Sequence, residues 1–175
     1  LELGELLNPS IETNGYKNEL LNIELLMEFI NNLKTFFDDR FPRLLNQINQ
    51  ALENYNSASY SIEFNKRLAS FKDLFNNEEI LFEKMIINDV YFKQFPFQTN
   101  FKPWNQYLAL CASYIITKFI AINLVNEKSN LEELIDILSL SYTVISHSDF
   151  DKLISVFMNE EGYNNLPKLA KLIQF

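Results

Sequence analysis

Glycine is scarce in this chain: Gly4, Gly15 and Gly162 are the three among 175 residues. Turn-rich sandwiches, collagen-like repeats and linkers all need frequent glycine, which enters positive φ at no steric cost. A chain so poor in it, with only five prolines, must cover distance with helices and short connections. Hydrophobic residues make up 47% and charged residues 22%, which is not the composition of a disordered tail. The length suits one domain with a core of its own.

The apolar residues recur at helical spacing. Leu21, Leu25, Phe29, Leu33 and Phe36 mark a first helix from about Asn18 to the Asp38-Asp39 pair. Pro42 opens a second, running to about Tyr55, and proline suits a first helical turn. Ser61 is placed to cap a third through Leu74, and Asn76 or Asn77 to cap a fourth from Glu78 to Gln94. After the loop FPFQTNFK (95–102), Pro103 opens the longest helix, about Trp104 to Asn126. Ser129 with Glu132 spells a capping box before a sixth, Leu131 to Ser146. Ser148 with Asp151 starts a seventh from Asp149 to Met158, and Pro167 opens a short last one ending near Gln174. The expectation is an all-α orthogonal bundle of seven to eight helices around the apolar helix at about 104–126. Residues 1–16, which hold Gly4, Pro9 and Gly15, read as an irregular entry, and 17–175 as a single helical domain.

Tyr107–Val125 is nearly uncharged, with Lys118 alone, so length permits a membrane span. Ser113, Thr117 and Asn123 interrupt it and no basic cluster flanks it. A buried central helix is the better reading, with no membrane span. The chain begins at Leu1 without a signal-peptide pattern, and reads as part of a longer protein.

The inventory closes off several chemistries. One cysteine, Cys111, and one histidine, His147, cannot supply the roughly four ligands of a zinc or iron–sulfur centre. A single cysteine also forms no intrachain disulfide, which suits a reducing, cytoplasmic setting. The glycines cannot spell a phosphate-binding loop. The net charge is −8 with dispersed Lys and Arg, so nucleic acid is not an expected partner. Cys111, mid-helix among Leu108, Leu110 and Ile115, reads as an inert core thiol. His147 follows the sixth helix, where the dipole favours a cation, and is also the one candidate imidazole acid or base. The aromatics around Pro96 (Phe92, Phe95, Phe97, Phe101, Trp104 and Tyr107) are unusually dense for a loop and suggest a pocket rim.

The segment Glu83–Phe97 (EKMIINDVYFKQFPF), the helix carrying Tyr114, and the ending Tyr142-Thr-Val-Ile-Ser-His147 together resemble the C-terminal half of the bacterial flagellin lysine N-methylase family. Glu83, Asn88, Phe92, Phe95-Pro96, Tyr114 and His147 carry the resemblance, over roughly residues 75–160. Near the histidine the family tends to have an arginine, and this chain has Tyr142. The family also has a cysteine-rich N-terminal region that this chain lacks.

The resemblance implies the C-terminal helical domain of a protein-lysine N-methyltransferase. Its partner is flagellin, its methyl donor S-adenosylmethionine, and a metal cluster enters only through an upstream cysteine-rich region. Glu83 and His147 are the implied catalytic residues. Asn88, Phe95 and Tyr114 are the implied substrate-binding ones, and Phe97, Trp104 and Tyr107 join them from the aromatic cluster around Pro96, with no metal ligand among them. Neither cofactor is expected on this chain alone, which is expected to support substrate binding rather than chemistry. The alternative is a non-enzymatic helical interaction or ligand-binding domain, regulatory and dimerising, so a homo-oligomer stays open.

Overall fold

The computed structural model describes residues 23–37, 40–53, 55, 60–97, 101–146 and 149–174. Among them are eight helices and no strand: α1 (Ile23–Phe37), α2 (Pro42–Leu52), α3 (Tyr60–Leu74), α4 (Glu78–Phe92), α5 (Pro103–Leu124), α6 (Leu131–Ser146), α7 (Phe150–Glu160) and α8 (Leu166–Ile173). The expected entry segment at 1–16 and the start of the first helix lie outside the described residues.

α5 is the centre. It packs against α2, α3, α4, α6, α7 and α8, while α1 closes over α2, α3 and α8. Fifteen of its 22 residues are buried, with Leu108, Ile115 and Phe119 at 0% exposure. Ala109, Ala112, Ser113 and Ala121 interleave the larger side chains and let neighbouring helices approach. By length and hydropathy α5 could cross a membrane, yet 72% of its apolar stretch is buried in the bundle. Two of its buried polar groups turn back onto the helix: Ser113 Oγ donates to Ala109 O at 2.9 Å, and Asn123 Nδ2 to Phe119 O at 2.7 Å.

Aromatic rings build the rest of the core. Phe29 meets Phe157 and Tyr163 edge-on at 5.7 and 5.0 Å, and Phe37 meets Phe41 at 4.8 Å. These are the offset geometries that ring quadrupoles favour. Gly162, at φ +69°, ends α7 in a left-handed turn. Tyr163 N then donates to Met158 O at 2.8 Å, the closing bond of a Schellman turn. That turn swings Tyr163 inward, where it is 0% exposed.

Local caps differ from the sequence reading. Ser129 does not cap α6: its Oγ accepts from Asn126 N at 3.1 Å, within the loop. Asn130 caps instead, its Oδ1 accepting from Glu133 N at 3.0 Å. Asn side chains accept such bonds as well as Ser, and the rule places no preference between adjacent candidates. Ser61 lies inside the first turn of α3, and Asn77 precedes α4 without a side-chain bond to it.

Candidate functional site

The end of α4 carries the most chemistry. Its last turn closes with Phe95 N donating to Val90 O at 3.0 Å and Gln94 N to Tyr91 O at 3.2 Å. This is a Schellman turn with Gln94, at φ 51°, in the position glycine normally takes. The cis Phe95–Pro96 bond follows. Gln106, on the first turn of α5, holds the loop: its Nε2 donates to Phe101 O at 2.5 Å and Pro96 O at 3.5 Å.

Lys93, at the C-terminal end of α4, joins two helices by charge. Its Nζ lies 3.1 Å from Asp89 Oδ1 and 2.9 Å from Asp151 Oδ1 on α7. The Tyr142 hydroxyl, from α6, donates to Asp89 Oδ1 at 2.8 Å. Asp89 is 3% exposed, so these partners offset the desolvation of a buried carboxylate. Burial, then the neighbouring Asp89, pushes the Tyr142 phenol well above its ordinary range. Burial raises the Asp151 carboxyl against the opposing pull of Lys93. Sequence reasoning did not nominate Asp89, Lys93, Asp151 or Gln106. The one local signal was the i,i+4 spacing of Asp89 and Lys93; Asp151 joins them only through the packing of α7.

The nominated residues spread over this region. Phe95 is half-buried and lines a small cavity with Asp89, Lys93, Gln106 and Asp151. Phe97 is 80% exposed. Trp104 stacks on Tyr107 with centroids 5.5 Å apart, and the Tyr107 phenol is raised by burial and by its contact with Cys111. Tyr114 packs edge-on against Phe82 at 5.8 Å and accepts from Lys118 Nζ at 3.0 Å. Asn88 is exposed and lines a groove of about 340 Å³ between α4 and α6, beside Leu81, Met85, Leu138 and Tyr142. Glu83 is exposed on α4. At 3.6 residues per turn it points about 140° away from Asn88, so the two do not share a face. His147 lies outside the described residues, one position past α6.

Two further grooves open nearby or along α3. One continues the α4–α6 groove through Leu81 and Lys84 toward Ile80 and Leu131. The other, about 460 Å³, lies along α3 and the end of α5, lined by Glu63, Arg67, Phe71 and Lys128. Cys111 is 6% exposed and burial pushes its thiol up to about 11, so it is no nucleophile at neutral pH. Among the described residues no group of three His, Cys, Asp or Glu could hold a metal ion.

These features define an all-helical domain with exposed aromatics and open apolar grooves gathered about α4. The model of the FliB lysine N-methylase C-terminal domain matches residues 2–172, and the chain belongs to that family. No curated protein and no solved structure matches it.

Proposed function

We propose that this domain contributes flagellin binding to a protein-lysine N-methyltransferase and does not carry out methyl transfer alone. The observation that carries the reading is the exposure of aromatic rings on both sides of the α4–α5 connection, in a chain of the lysine N-methylase family. Phe97 is 80% and Trp104 39% exposed, and large aromatics left in solvent are typical anchors for a protein partner. Tyr91 and Phe92, at 80% and 77%, extend the apolar surface on α4.

Methyl transfer needs a neutral amine, an aligned methyl and an acceptor for the released proton. S-adenosylmethionine, the donor the resemblance implies, would supply the methyl. A ligand of that size is normally enclosed over most of its surface, and the described grooves are open ones. The single thiol, buried and held protonated, does not suit cluster ligation either. Both groups therefore fit a longer chain better than this one. Glu83 and His147 remain proposed contacts for the substrate amine.

The test is flagellin binding by the purified chain and its Phe97→Ala/Trp104→Ala variant. The variant is expected to bind at least about tenfold more weakly, since each hot-spot aromatic is worth roughly 1–2 kcal/mol or more. The Phe97→Ala single variant should leave the melting temperature nearly unmoved, since that ring is 80% exposed. Equal affinity in the double variant would contradict the assignment of this surface.

A further inference from the structure

A cavity with room for the centre of one water-sized particle, about 10 Å³, lies where the end of α4 meets α5 and α7. That is the lower limit for holding a water molecule. Asp89, Lys93, Phe95, Gln106, Leu110 and Asp151 line it. Gln106 is 7% exposed. Both loop bonds use its Nε2, and among the described residues its Oε1 has no donor. A buried amide oxygen left without a donor costs about 1–3 kcal/mol.

The charges do not balance. Two carboxylates, Asp89 and Asp151, share one ammonium, Lys93. The Tyr142 hydroxyl that joins them is neutral, and the charged groups acting on Asp151 are Lys93 and Asp89. Counted by formal charge, the cluster is thus short of one positive charge. What the cavity lacks is therefore a hydrogen-bond donor with a single positive charge. A neutral water would serve Gln106 and leave the charge uncompensated. A divalent metal would face Lys93 at close range.

We propose that this cavity binds a water-sized, hydrogen-bond-donating monovalent cation, either a free ammonium ion or the head group of a primary amine. Its N–H groups reach Gln106 Oε1 and the carboxylate oxygens of Asp89 and Asp151. The proposal stands on this geometry alone and is independent of the methylase reading.

Thermal melts of the full chain test it, run at one pH and ionic strength in ammonium, methylammonium or choline chloride. Ammonium is expected to raise the melting temperature saturably, and choline, too large and without N–H, to leave it unchanged. An equal rise with methylammonium identifies a site open to amine head groups, and a rise with ammonium alone a free-ion site. Gln106→Leu and, separately, Asp151→Asn are expected to abolish the response. Titration of the unaltered chain followed by ammonium nitrogen NMR reads binding directly, should a variant fail to fold. Identical melts in ammonium and choline with no bound ammonium signal would overturn the proposal, as would a response that survives in Gln106→Leu.

Discussion

Tyr163 brings a hydroxyl into the aromatic core and keeps it bonded. The ring is 0% exposed, while its OH accepts from Asn32 Nδ2 at 3.2 Å and donates to Glu28 Oε1 at 3.4 Å. The Lys168 ammonium sits 4.0 Å over the ring, a cation–π contact. Burial pushes this phenol up to about 12 from an ordinary 10.0. Tyr55, which donates to Asn123 Oδ1, is likewise raised to about 12, and Cys111 to about 11 from 9.0. Each group binds its proton more tightly folded than unfolded. The stability this contributes is full below the unfolded values and is lost as pH rises through the folded ones. Melts should therefore show a falling melting temperature from pH 9 through about 11 and 12, the span of these values. A melting temperature constant over that span would contradict the burial of these groups. Gln94 supplies a second residue-scale expectation. Its φ of 51° is glycine's region, and a side chain there costs roughly 1–2 kcal/mol, part of which glycine's own entropy gives back. Gln94→Gly is expected to stabilise the chain by about 0.5–1 kcal/mol in denaturant melts.

Two helices of the bundle sit at opposite extremes. α5 is buried almost all round, whereas α4 buries Phe82 and Asp89 and leaves Ile80, Ile87, Tyr91 and Phe92 in solvent. Phe82 is the apolar anchor of α4, in ring contact with Phe71 and Tyr114. Phe82→Ala is expected to cost about 3–5 kcal/mol. Phe92→Ala, ten residues along the same helix, should stay within about 0.5 kcal/mol. Comparable losses at both positions, read by denaturant unfolding, would place α4 wrongly. The elements were legible in the sequence because proline, apolar period and polar breaks act locally. Pro42, Pro103 and Pro167 each lie in the first turn of a helix, and the continuous apolar run of α5 could pack in water only from the middle. The ends were less legible. Asn130 rather than Ser129 caps α6, and the fourth helix stops at Phe92 rather than Gln94 because Gln94 takes a left-handed turn.

At the scale of the molecule, the candidate site was legible only in part. The density of aromatics around Pro96 was visible, and Phe97 and Trp104 do stand at the surface. The charged cluster of Asp89, Lys93 and Asp151 was not, because 58 residues separate Lys93 from Asp151 and no local pattern announces a contact made by packing. The divergence of Glu83 and Asn88, by contrast, was already legible, since their spacing on one helix sets them about 140° apart. The domain leaves apolar surface open on its helical frame, and its family is that of the FliB lysine N-methylase C-terminal domain. The measurement that bears most directly on the proposed division of labour is methyl incorporation into flagellin from labelled S-adenosylmethionine. It compares the purified 175-residue chain with the same chain preceded by a cysteine-rich region of the kind the family resemblance implies. The expected result is methylation by the longer chain, lost when its upstream cysteines are replaced, and none by this domain alone. Methylation by the isolated domain at a rate near that of the longer chain would contradict the account.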